Sequence, residues 1–254
     1  MYIIFILLIV TNGLVADEPQ SKIQGLKLCK RNEEFLNTCI QSSIESIKPH
    51  LAKGYPADKL PPFEPYRMDV FEISNDDFNE RERFMEISIS GLTNYNISQF
   101  NMSSRDLEQM NFVAYFPRIT MSAIYDTNSR STDTPTENSR QPMIGEFNGV
   151  RAVIRIDNER IIKIPKIGTT VTYLRVKTVL VKLSIQHFVT YVGDQKKNYR
   201  IAETINNIVF RRWRARIDEI MFHIERHASK LIKDAASSIF DDFSMFLLLP
   251  THHP

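Results

Sequence analysis

Hydrophobic positions along the chain change period twice, and those changes divide it into three zones. From Glu33 to Ala52, Phe35, Leu36, Cys39, Ile40, Ile44, Ile47 and Leu51 recur at steps of three and four. That spacing predicts an amphipathic helix, stopped by Gly54-Tyr55-Pro56. The prolines of Leu60–Pro65 (LPPFEP) then predict an extended connector.

From Met68 to Val192 the period is two. Met85, Ile87 and Ile89 alternate with Glu86, Ser88 and Ser90. Met110, Phe112 and Ala114, then Ile119, Met121, Ala123 and Tyr125, continue the alternation. Val150, Ala152, Ile154 and Ile156 follow, and then Val179, Val181, Leu183 and Ile185. One apolar and one polar face predict long antiparallel strands. The polar segment 126–141 reads as a loop between two of them.

The third zone returns to helical spacing. Ile201, Ile205, Ile208, Trp213, Ile217, Ile220, Ile224, Ala228, Leu231, Ala235, Ile239 and Phe243 form one stripe without Gly or Pro. A helix of about 40 residues, about 60 Å long, is expected to cover the sheet. The alternative is two helices with a bend near Trp213 or Ala228.

The first residues carry a different signal. Tyr2–Val10 is apolar but too short for a bilayer span, which takes about 20 residues. Gly13-Leu14-Val15-Ala16 then precedes Asp17-Glu18-Pro19. Residues 1–16 read as a signal peptide and 17–254 as a single exported domain, with a signal anchor as the alternative. Cys29 and Cys39 are the only cysteines. Close together and behind an export signal, they read as one small disulfide loop; two buried free thiols are the alternative. Asn96-Ile97-Ser98 and Asn101-Met102-Ser103 are glycan acceptor sequons.

Composition narrows the function. Thirty-two basic and 30 acidic residues give +2, so charge offers no argument for a nucleic-acid partner. Sixteen Phe and nine Met supply adaptable apolar lining. No GxSxG elbow, P-loop or GxGxxG turn is present, and no cofactor or enzymatic activity is expected. His223 and His227 have zinc-compatible spacing, but the zincin Glu is absent, and a solvated helix face is the preferred reading. Arg211, Arg212, Arg214 and Arg216 flank Trp213. They offer a membrane-surface or microbe-surface patch as an alternative function, against arginines that merely snorkel over a packed indole.

The ordered set resembles the insect takeout and juvenile-hormone-binding-protein family. Its carriers are the leader, Cys29-Lys30-Arg31 to Cys39-Ile40, Leu60–Pro65, the Trp213 region and Phe246–Pro250. The resemblance implies an α+β fold: a long C-terminal helix wrapped by a highly curved antiparallel sheet, tubular and TULIP-like, with an N-terminal amphipathic helix. It further implies a secreted, monomeric carrier holding a terpenoid such as juvenile hormone, or a long acyl chain, in an internal tunnel. A transient membrane contact is compatible with that role. The expected tunnel lining is Ile44, Ile47, Met110, Phe112, Met121, Tyr125, Trp213, Ile217, Ile220 and Ile224. Hydroxyls of Tyr115, Tyr125 or Tyr173 are expected to meet a head group. Cys29–Cys39 would be the family's N-terminal disulfide.

Overall fold

The computed structural model describes residues 27–54, 60–75, 80–103, 106–126, 140–163, 170–193, 217–241 and 243–251, together with Asn207, Arg211 and Arg214. The leader and Trp213 lie outside the described residues.

The N-terminal helix is split. Helix α1 spans Leu36–Ser46 and α2 spans Lys48–Lys53, meeting at Ile47. One continuous helix over 33–52 was expected, but Pro49 sits in the first turn of α2. Proline cannot donate the helical hydrogen bond and its ring crowds the carbonyl four residues back, so the chain restarts there. Leu36, Cys39 and Ile40 point inward, and Cys29 is bonded to Cys39.

Six strands follow: β1 Tyr66–Asn75, β2 Glu80–Ser90, β3 Asn96–Met102, β4 Gln109–Asp126, β5 Arg140–Lys163 and β6 Val171–Val192. They form one highly curved antiparallel sheet in the order β1-β2-β4-β5-β6, with β3 beside β4. The three long strands exceed the usual five to six residues several-fold.

Helix α3, Ile217–Phe240, lies in the open side of the sheet. It runs unbroken through Ala228, as the continuous-helix reading expected, and the alternative bend there is absent. Asn207, Arg211 and Arg214 are also helical. The stripe was expected to reach Phe243, but the helix stops at Phe240. Ser244 then caps α4, Met245–Leu248, its hydroxyl accepting from the Leu247 N–H. Ile232 and Ala236 replace the expected Leu231 and Ala235 in the buried face. Four-residue steps make a ridge inclined to the helix axis, so the contact line crosses the helix obliquely.

The free edge of β3 is covered by polar side chains. Gln41 Nε2 donates to the Ile97 carbonyl at 2.8 Å, and the Ile97 N–H donates to Glu45 at 3.1 Å. Lys48 Nζ donates to the Tyr95 carbonyl. An edge capped in this way offers no template for strand addition.

Candidate functional site

Two separate apolar clusters occupy the concave face of the sheet. The first collects Ile40, Ile47, Met110, Phe112, Ala152, Ile154, Leu174, Val179 and the disulfide, with Phe240, Phe243, Leu248 and Leu249. The second collects Ile73, Phe84, Ile87, Ala123, Tyr125, Met143, Val192 and Ile220. β4, β5, β6 and α3 contribute to both.

The division follows from a change of phase along the strands. In β4 the inward residues are even-numbered from Met110 to Phe116 and odd-numbered from Met121 to Tyr125. In β5 they are even from Val150 to Ile156, and odd at Met143 and Gly145. Pairing does not slip across this change: Phe116 faces Val150 and Arg118 faces Asn148. One position in each strand is passed over instead, and these positions are Pro117, Gly149 and Gln186. Pro117 has no N–H to give to the ladder. Gly149 takes φ +63, which its lack of a Cβ allows at no steric penalty, and a Cβ there would meet Gln186 Oε1 at 2.3 Å. The three residues mark a crease across the sheet.

Beside the crease, the second-cluster face carries a row of half-buried apolar side chains. Ile119, Phe147 and Phe188 are cross-strand neighbours on β4, β5 and β6. The Phe147 and Phe188 rings stack with centroids 6.4 Å apart. Gly145 leaves room for the Phe147 ring, which lies 2.9 Å from where a Cβ would stand, and Met121 Cε lies 3.6 Å from the same position. Apolar side chains left partly uncovered on a concave face offer contact to an apolar surface.

The expected lining residues separate between the clusters. Ile44, Ile47, Met110 and Phe112 belong to the first. Met121, Tyr125, Ile220 and Ile224 belong to the second. Ile217, at the start of α3, is 36% exposed and belongs to neither cluster, and the first buried residue of α3 is Ile220. Trp213 lies outside the described residues, as do Arg212 and Arg216, whereas Arg211 and Arg214 are exposed.

The head-group hydroxyls also separate. Tyr115 is exposed, because on that side of the crease odd positions of β4 face outward. Tyr125 is fully buried under Phe84, with ring centroids 5.3 Å apart. Tyr173 lies under Lys163 Nζ, 4.2 Å from its centroid, and bridges to Ser244. In β2, Met85 was expected to share a face with Ile87 and Ile89. A bulge against β4, with Glu86 at φ +51, turns Phe84 inward in its place.

α3 spans the opening between the two outer strands of the sheet, and its two flanks differ. Toward β6, Glu225 Oε2 accepts from Lys182 Nζ at 2.7 Å and Oε1 accepts from the Leu183 N–H at 2.9 Å. Lys233 Nζ donates to the Lys177 carbonyl at 3.0 Å. Toward β1, His227 Nε2 lies 3.4 Å from the Tyr66 hydroxyl. Phe71 meets the imidazole edge-on at 5.7 Å. Burial, aided by Lys230 and opposed by Asp234, holds the His227 imidazole below its ordinary value. Burial and then Asp234 raise the Tyr66 phenol. His227, expected on a solvated face, is thus half-buried against the sheet.

The sequence motifs also reveal their structural work. The Glu64 carboxylate accepts from the Gly91 and Thr93 N–H groups at 2.8 and 2.7 Å, anchoring the connector to the β2–β3 turn, while Phe63 is buried. The Arg31 N–H donates to the Pro250 carbonyl at 3.0 Å, joining the disulfide segment to the C-terminal tail. Asn96 and Asn101 are exposed on β3. Among the described residues, Cys29, Glu33 and Cys39 alone gather three potential metal-binding side chains, and both sulfurs are committed to the disulfide. No described helix is long and apolar enough to cross a membrane.

Comparison with known proteins gives matches of two kinds, to a family and to a fold. The model of a family described as haemolymph juvenile hormone binding protein (JHBP) matches residues 4–250. The crystal structure of Epiphyas postvittana Takeout 1 has a TM-score of 0.66, covering 88% of this chain and 99% of that one. At 14% identity this second likeness speaks for the fold. No curated protein matches the sequence.

Proposed function

This chain belongs to the haemolymph juvenile hormone binding protein family, and we propose that it is a secreted carrier of one small hydrophobic molecule, a terpenoid or a long acyl chain. The guest occupies an internal tunnel between the concave sheet and α3. The observation that carries this reading is the half-buried row Ile119, Phe147 and Phe188 beside the crease, an apolar wall whose rings are not fully covered. Met121, Ile220 and Ile224 extend the wall toward α3.

The energetics suit a carrier. About 15 methylenes removed from water are worth roughly 12 kcal/mol at about 0.8 each. Association entropy and ordering subtract about 4 kcal/mol or more, which leaves roughly micromolar affinity at best. In this reading residues 1–16 are removed, and residues 17–254 act as a monomeric single domain without turnover. Glycans on Asn96 or Asn101 would stand on the exposed surface of β3.

The test is organic extraction of the purified mature chain with mass spectrometry, followed by titration with a fluorescent fatty acid and a fluorescent terpenoid. A recovered lipid, or saturable binding that Phe188→Ala weakens about two- to tenfold, is expected. A chain that yields no lipid and binds neither probe is no carrier.

A further inference from the structure

The two flanks of α3 are held by different chemistry. The β6 flank has a carboxylate with both oxygens engaged and a lysine bonded to a strand carbonyl. On the β1 flank, among the described residues, a long hydrogen bond joins Tyr66 and His227, framed by the rings of Tyr66 and Phe71. Among the described residues no ion pair joins α3 to β1, and the helix packs chiefly along β6. If the wall opens at one side, the β1 side parts without breaking an ion pair among the described residues.

We infer that the β1–α3 seam is where this wall parts to admit and release the ligand, and that protonation of His227 opens it. The inference rests on the carrier reading for its purpose. Its structural part, a seam that loosens in acid, does not depend on that reading.

The groups around His227 set the direction. β1 presents Tyr66 and Phe71, and α3 presents Lys230 and Asp234. In the closed seam the neutral ring fits: Nε2 accepts the Tyr66 O–H when the ring proton is on Nδ1. Charging the ring there places a cation in a half-buried site near the Lys230 ammonium, and Asp234 offsets this only in part. In the opened seam the ring is in water, with the ordinary histidine affinity for a proton. The open form therefore binds the proton more tightly than the closed one. Closure is fully favoured above about pH 6.5 and is lost as pH falls through that value and on through the lower one of the closed state. Tyr66 stays neutral throughout, since its phenol is raised.

The experiment uses the full mature chain and two readouts. Amide hydrogen exchange without ligand, at about pH 7.5 and 5.5 and corrected for intrinsic rates, follows Tyr66–Ile73 against Leu183. The β1 amides are expected to lose protection in acid while the Leu183 amide keeps it. Stopped-flow release of the fluorescent fatty acid cis-parinaric acid is expected to accelerate over the same interval, by up to about tenfold for each pH unit separating the open and closed values. His227→Phe should abolish both acid responses, and His227→Gln, which keeps a neutral polar group, should abolish them with less change in packing. Unchanged β1 protection in the wild type overturns the inference, as does an acid response that persists in both variants. If the probe binds at neither pH the carrier reading fails, and exchange still decides the seam.

Discussion

Glu225→Ala tests what holds α3 to the sheet. The Glu225 side chain is 12% exposed, whereas that of its partner Lys182 is 77% exposed. An ion pair to so exposed a lysine is worth at most about 1 kcal/mol. The other bond is different: Oε1 accepts a main-chain N–H from β6, which the strand ladder leaves unpaired on that side. Depriving a part-buried N–H of its acceptor costs about 1–3 kcal/mol. Glu225→Ala should therefore cost about 2–3 kcal/mol, lowering Tm by roughly 5–10 °C for a chain of this size. Lys182→Ala should cost less than about 1 kcal/mol, and Glu225→Gln, which retains the Oε1 acceptor, should fall close to it. Thermal unfolding of the three variants, with exchange of the Leu183 amide as the local readout, checks the order. If Lys182→Ala matches Glu225→Ala, the ion pair and not the main-chain bond secures the flank, and the reasoning is refuted.

Two further predictions concern the crease and the disulfide. Gly149→Ala should cost about 1–3 kcal/mol in urea unfolding, through its positive φ and its collision with Gln186. Adding Gln186→Ala should restore the steric part only; full restoration would mean that the backbone conformation there is unstrained for alanine. Replacing Cys29 and Cys39 together with Ser opens a link between residues 10 apart and should cost about 2–3 kcal/mol. Exchange at Leu248 and Leu249 should rise first, since that tail packs on the disulfide cluster; protection unchanged there would show that the tail is anchored elsewhere.

Particular residues show where sequence reading succeeds. Met110, Phe112, Ile154 and Ile156 are inward because strict alternation over an isolated stretch leaves one choice of face. The helical stripe found Ile220, Ile224 and Ala228 for the same reason. It misplaced Ile217, Leu231 and Ala235, because a curved sheet selects an oblique line along the helix. Met121 and Tyr125 were assigned to strands correctly, yet they face a different cluster from Met110 and Phe112. The signal for that change was present as Pro117 and Gly149, but its meaning depends on the two residues lying opposite one another. Phe147 and Phe188, the half-covered pair beside the crease, lie 41 positions apart in the chain and carry no motif. Glu64 was noticed only as part of a proline-rich connector; its bonds to Gly91 and Thr93 come from a turn nearly thirty residues away.

Side-chain periodicity, proline positions and cysteine spacing are local quantities, and they suffice to establish helix, long strands and helix, with one bridged N-terminal loop as the preferred reading that the structure bears out. Whether the apolar side of one half-strand continues into the next depends on the crease, which exists only where three strands align. Whether His227 meets water or Tyr66 depends on the curvature that brings β1 round to α3. Those relations join residues separated by 32 to 161 positions, and the free energy that selects them belongs to the assembled sheet and helix rather than to any stretch of chain.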